Sequence, residues 1–168
     1  METRPRLVGG DVALDLVNTL DSEVEGGDHL RTEADVIEWL DHVGLGGEAR
    51  LADVRRARAA VDAALRPLAE GRAPDTGALV ALYARAAGRA VLGAGGFTWA
   101  SPVDAIVASA TELLSHGPID RLKTCDNCEW LFLDLSRNGS RRWCSMEGCG
   151  TEVKIRRLTE RRRAARSR

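Results

Sequence analysis

The chain has 168 residues, 44% of them hydrophobic, and a formal net charge of −1, which suits one ordinary domain with a real core plus a small appendage. No run approaches the roughly 18 continuous apolar residues of a membrane span. Met1-Glu-Thr-Arg-Pro5 lacks the charged-then-apolar design of a secretion signal, so a cytoplasmic protein with no membrane partner is expected.

Val12, Ala13, Leu16, Val17 and Leu20 recur at helical spacing and predict a helix over 11–22. Asp15, Asn18 and Thr19 place three polar groups on one side of it. They are a candidate lining for a ligand pocket, or else a polar outer face or capping network. After the Gly26-Gly27 break, Thr32 with Asp35 three residues on predicts a capping box. Val36, Ile37, Leu40 and Val43 give that second helix its apolar face, and Gly44 stops it. Leu51, Val54, Val61, Leu65 and Leu68 predict a third helix over about 48–68, ending at Pro67 and Gly71. A fourth opens after Pro74-Asp75. Val91-Leu92, three glycines and Phe97-Thr98-Trp99 predict a short hairpin or packed loop. Trp39 and Trp99 are expected in the core. Ser101-Pro102-Val103-Asp104 is a well-formed start for a fifth helix, which Gly117-Pro118 ends. Residues 1–118 thus read as an acidic helical domain.

The four cysteines fall in the last third of the chain: Cys125-x2-Cys128, fifteen residues, then Cys144-x4-Cys149. Two close pairs of thiolates are what one tetrahedral zinc takes, and a reducing compartment favours metal over disulfides. Four sulfur ligands leave no open position for an activated water, so the zinc is expected to be structural. Trp130–Leu133 reads as a strand, Ser136-Arg-Asn-Gly139 as a turn and Arg141–Trp143 as the returning strand. Cys149 then opens a helix over about 150–165. Knuckle, hairpin and helix make a treble-clef-like finger over residues 119–168. Its loss, as in Cys144→Ala, is expected to leave the helical body folded.

The charge is unevenly placed. Residues 1–120 carry 11 Lys and Arg against 19 Asp and Glu, a balance of −8; residues 121–168 carry 13 against 6, a balance of +7. An acidic body with a basic end is the outline of a nucleic-acid binder. Lys154, Arg157 and Arg161 share one face of the last helix, with Arg137, Arg141 and Arg142 on the hairpin side, as candidate DNA contacts. Ile155 and Leu158 are expected to pack on the hairpin. No nucleophile elbow, phosphate loop or paired-carboxylate pattern occurs, so no enzyme is expected.

Trp130-Leu-Phe-Leu-Asp134, Ser136-Arg-Asn-Gly-Ser-Arg-Arg-Trp-Cys144-Ser-Met146 and Cys149-Gly150 resemble the CGNR-type zinc finger of bacterial proteins. Gly9-Gly10 and Leu14-Asp-Leu-Val-Asn-Thr19 resemble the helical (ABATE-like) domain that precedes it. The resemblance covers nearly the whole chain. It implies a mainly α protein, a helical domain followed by a treble-clef-like finger, with one structural zinc on Cys125, Cys128, Cys144 and Cys149. It further implies a DNA-binding transcription regulator, often stress-linked, whose helical domain has sensing or protein-interaction duties; with the acidic charge of that domain, a small-molecule effector and a homodimer are candidate partners. The alternative is a ligand-binding or protein-interaction module whose finger is purely structural. One departure stands out: where the family name expects Asn-Arg after Cys-Gly, this chain has Thr151-Glu152.

Overall fold

The structure is a computed structural model that describes residues 5–22 and 25–166. The sequence readings placed on Met1–Arg4 and Arg168 lie outside the described residues.

Helix α1 (Val12–Val17) starts at Asp11, whose carboxylate accepts the Ala13 N–H at 2.8 Å. Residues 13–17 are all buried, so this short helix is the centre of the fold. It packs on α3 (Leu51–Ala69) and α5 (Pro102–His116), and α4 (Gly77–Ala87) lies against both of those. The predicted span of 11–22 is too long: the Thr19 and Leu20 N–H groups bond carbonyls only three residues back, and Leu20 then bridges to Asp28.

Helix α2 (Glu33–His42) has the expected capping box: Thr32 and Asp35 each bond the other's backbone N–H. Its Glu33 carboxylate also accepts the Leu51 N–H at 2.7 Å and so caps α3, where Arg50 offers no side-chain cap. Helix α5 starts at Ser101, whose Oγ accepts the Asp104 N–H at 3.2 Å. Strands β1 (Val91–Gly93) and β2 (Gly96–Thr98) form the predicted hairpin, pairing Leu92 with Phe97. Trp99 is a correction: it is only half-buried, stacking with Phe97 and Tyr83 at 5.3 and 6.1 Å, whereas Trp39 is in the core.

A buried ion pair ties α3 to the turn before α2. The Arg58 guanidinium meets both oxygens of Asp28 at 2.7 Å and donates to Thr19 Oγ1 at 2.7 Å. Burial pushes the Asp28 carboxyl up, but Arg58 and the Leu30 N–H hold it below the usual carboxylate range. Sequence spacing could not reveal this pair, which spans 30 residues.

Asp15 behaves in the opposite way. Burial outweighs the Gly9 and Val8 backbone donors and raises its carboxyl to about 6. The folded state therefore holds that proton more tightly than the unfolded chain. The contribution to stability is fully present below about pH 4 and is lost as pH rises through about 6. At neutral pH the buried charge costs on the order of 3 kcal/mol. Asp15→Asn keeps an acceptor for the Gly9 N–H and removes the charge. It is expected to gain stability over wild type at pH 8 and to show little gain at pH 4 in urea unfolding. An equal gain at both pH values would rule out the carboxylate as its source.

Candidate metal centre

Strands β3 (Leu122–Thr124) and β4 (Leu131–Leu133) pair antiparallel, Lys123 opposite Phe132. The knuckle is the turn between them: the Cys125 N–H donates to the Trp130 carbonyl at 2.8 Å, and Glu129 takes φ +63°. The expected returning strand over Arg141–Trp143 is thus corrected. The partner of β4 lies before the knuckle because a tight two-cysteine turn already reverses the chain there. Residues 141–143 are held by other bonds, among them the Asp126 N–H to the Arg142 carbonyl at 3.1 Å. The Asn138-Gly139 turn does form, with Gly139 at φ +56°.

Cys149 arrives in a wide turn over 146–150, which Ser145 starts by accepting the Gly148 N–H at 3.2 Å. Helix α6 (Thr151–Arg166) follows directly, so the positive end of its dipole lies next to the thiol cluster.

The four Sγ atoms lie within 4.8 Å of one another. Cys128–Cys144, Cys144–Cys149 and Cys149–Cys128 are 3.7, 3.7 and 3.5 Å apart. A disulfide needs about 2.05 Å, whereas a tetrahedron with Zn–S of about 2.3 Å needs about 3.8 Å between sulfurs. The cage therefore fits zinc and not a pair of disulfides.

Its electrostatics agree. The Cys128 and Cys144 thiols donate to Cys125 and drive that thiol well down. As donors beside a thiolate, Cys128 is driven well up and Cys144 up to about 12. A divalent cation holds all four as thiolates, and its binding releases their protons. Backbone N–H groups of Cys128 and Cys144 aim at Cys125, and that of Trp130 at Cys128. Trp130, Phe132, Val8 and Trp143 pack around the sulfurs.

Asp134, a residue the spacing argument passed over, holds the outer wall of the finger. It is fully buried. Its carboxylate accepts Lys123 Nζ at 2.8 Å, the Arg141 N–H at 2.7 Å and the Ser136 hydroxyl at 2.5 Å. Burial raises this carboxyl, yet Lys123 and Ser136 hold it far below the usual range.

The candidate DNA contacts divide into two groups. Arg137, Lys154, Arg157 and Arg161 are exposed. Arg141 and Arg142 are engaged within the finger. Arg141 bonds the Cys144 carbonyl and lies over the Phe132 ring at 5.1 Å. Arg142 pairs with Asp126 at 2.6 Å and lies over Trp143 at 5.7 Å. Ile155 and Leu158 correct another expectation: they are 60% and 49% exposed rather than packed on the hairpin. Val153 is the one buried residue of α6. Glu152 accepts Asn127 Nδ2 at 2.9 Å, tying α6 to the knuckle.

Asp15, Asn18 and Thr19 are buried and bonded within the protein rather than grouped around a ligand cavity. Asn18 reaches the finger: its Nδ2 donates to the Leu131 carbonyl at 2.9 Å and its Oδ1 accepts the Leu131 N–H at 2.8 Å. Gly9 does the same for the next pleat. Its carbonyl accepts the Leu133 N–H at 2.9 Å while its N–H donates to Asp15. A side chain at Gly9 would meet Leu14 Cβ at 2.7 Å, so this close approach requires glycine. Leu122, Leu131 and Leu133 accordingly belong to the same apolar core as Leu14, Leu16 and Leu65.

Residues 10–117 match the ABATE family, described as "Putative stress-induced transcription regulator". Residues 121–162 match the CGNR zinc finger. No curated protein matches the chain. With the cage geometry, the finger match makes the chain's cofactor one structural zinc.

Proposed function

This chain belongs to the ABATE family, here joined to a CGNR zinc finger, and from that premise we propose that it is a transcription regulator that binds DNA through the finger and α6. The observation that supports this reading is the solvent exposure of α6. Along its whole length only Val153 is buried, and the helix carries seven Lys and Arg against two Glu. Lys154, Arg157 and Arg161 make no ion pair among the described residues and line one face over about 10 Å, at 1.5 Å per residue. Such a row suits a run of phosphates. The acidic body repels nucleic acid and is left for an effector or a second copy. On this reading the protein acts by binding, in a reducing cytoplasm, and not as an enzyme.

The test is fluorescence anisotropy with generic duplex DNA from 50 to 200 mM salt. Wild type is expected to bind with a steep salt dependence. Replacing Lys154, Arg157 and Arg161 by Ala should flatten the slope of log K against log salt by about 3, near 0.9 per lost phosphate contact. The melting temperature should hardly move, since exposed charges contribute little to folding. Absence of binding by wild type at the lowest salt would overturn the reading. The interaction-module alternative would then stand, with Ile155 and Leu158 as the apolar part of a protein-facing α6.

A further inference from the structure

Residues 76–103 contain no Asp or Glu, although residues 1–120 carry 19 of them. Most of that stretch forms α4 and the β1–β2 hairpin, and both turn apolar side chains to solvent. Val80 on α4 is 60% exposed, and the cross-strand pair Leu92 and Phe97 are 70% and 49% exposed. Opposite residues of a hairpin share one face. The Phe97 ring packs on Trp99 and Trp99 on Tyr83, which joins the hairpin to the flank of α4 where Val80 lies one turn before Tyr83. Ala81 and Ala84, the exposed neighbours of Val80, are small enough to let a second helix come close. A lone two-stranded hairpin is marginal in water, and a contiguous apolar patch marks a site of association. Charge selects the occupant. The body carries −8, so a second copy is repelled wherever carboxylates face each other, and along residues 76–103 none do. The charges at the two ends of α4 have opposite sign. Asp75 is exposed at its start, where it accepts the Gly77 N–H at 3.2 Å. Arg85 is exposed in its last turn and makes no ion pair among the described residues. Val80 lies midway between them. A two-fold axis at Val80 that sets α4 antiparallel to its copy brings Asp75 of each chain to Arg85 of the other and opposes the helix dipoles favourably.

We propose that this face is the interface of a two-fold homodimer, with α4 packed antiparallel against its copy around Val80 and the Leu92–Phe97 face of the hairpin covered at its flank. Such a dimer presents two α6 rows to one duplex; that consequence rests on the regulator reading, and the dimer does not. Light scattering after size exclusion, on the zinc-loaded full chain without DNA from about 1 to 100 μM, reads self-association alone. A failure of DNA binding therefore leaves this test intact. Wild type is expected to reach twice the chain's 18.2 kDa. Val80→Glu and Leu92→Glu, at exposed positions that tolerate change, should each raise the dimer dissociation constant at least about tenfold and leave the circular dichroism spectrum unaltered. Arg85→Glu should weaken the dimer by about tenfold, since each substitution acts twice across the axis. Adding Asp75→Arg to it should restore the dimer, which a merely structural effect of either change would not do. A single-chain mass at every concentration overturns the dimer and leaves the face to a different protein. A dimer untouched by Val80→Glu and Leu92→Glu overturns the interface, and absence of rescue in the double variant overturns the antiparallel register.

Discussion

Chelating the zinc, or replacing Cys144 by Ser, will dismantle the helical body's core as well as the finger. Structural zinc contributes about 10–16 kcal/mol in small fingers, as much as the whole stability of an ordinary domain. In this fold the loss is not confined to residues 119–168. Without the metal, the knuckle that joins β3 and β4 has no anchor. Leu122, Leu131 and Leu133 then leave the cluster they share with α1 and α3. The Gly9 carbonyl and both ends of the Asn18 amide lose their strand partners at the same moment. The sequence-level expectation of an intact body after Cys144→Ala is therefore replaced. Far-ultraviolet circular dichroism during titration with a chelator checks this. One transition should remove both zinc, read by a colorimetric indicator, and most of the helix signal. Retention of the helix signal with a cooperative melt in the zinc-free protein would show that the body folds alone.

Asn18→Ala will be strongly destabilising although the residue is polar and touches no metal. The amide is 1% exposed and serves as a single-residue strand partner, giving one donor and one acceptor to Leu131. Alanine leaves a buried N–H and a buried C=O without partners, at about 1–3 kcal/mol each. A total near 3 kcal/mol is expected, or roughly 6–12 °C in melting temperature for a chain of this size. Asn18→Asp should not rescue it. A carboxylate accepts the N–H but cannot donate to the carbonyl, and it adds a buried charge. Thermal melts of the two variants beside wild type decide the matter. A shift under 2 °C for Asn18→Ala would mean that β4 is held by its apolar side chains alone. A ligand role for Asn18 would require the opposite pattern, normal stability with altered binding.

Much of the architecture was legible because its causes are local. The Thr32–Asp35 box and the Ser101-Pro102 start are interactions across three residues, and they formed as expected. The hairpin at 91–98 follows from glycines flanked by apolar residues. The cage is legible for the same reason: cysteines three and five apart each share one turn, and a metal supplies the energy to join the two turns. The arginine row on α6 is a matter of helical period.

Other features had no signal along the chain. The strand that pairs with β4, Leu122–Thr124, gave no strand signal, since three residues give no period to count. Whether Arg141 faced solvent or Phe132 depended on Asp134 pulling its backbone inward. Sequence spacing alone determined most of the helices, the caps of α2 and α5, the four ligands and the placement of charge, because each depends on neighbours within a turn or two. The tertiary structure decided that the two halves share a core, that Ile155 and Leu158 stay in solvent, and that the polar side of α1 grips the finger. Those outcomes rest on contacts such as Asn18 to Leu131, 113 residues apart, where the choice of partner is made by packing and not by period.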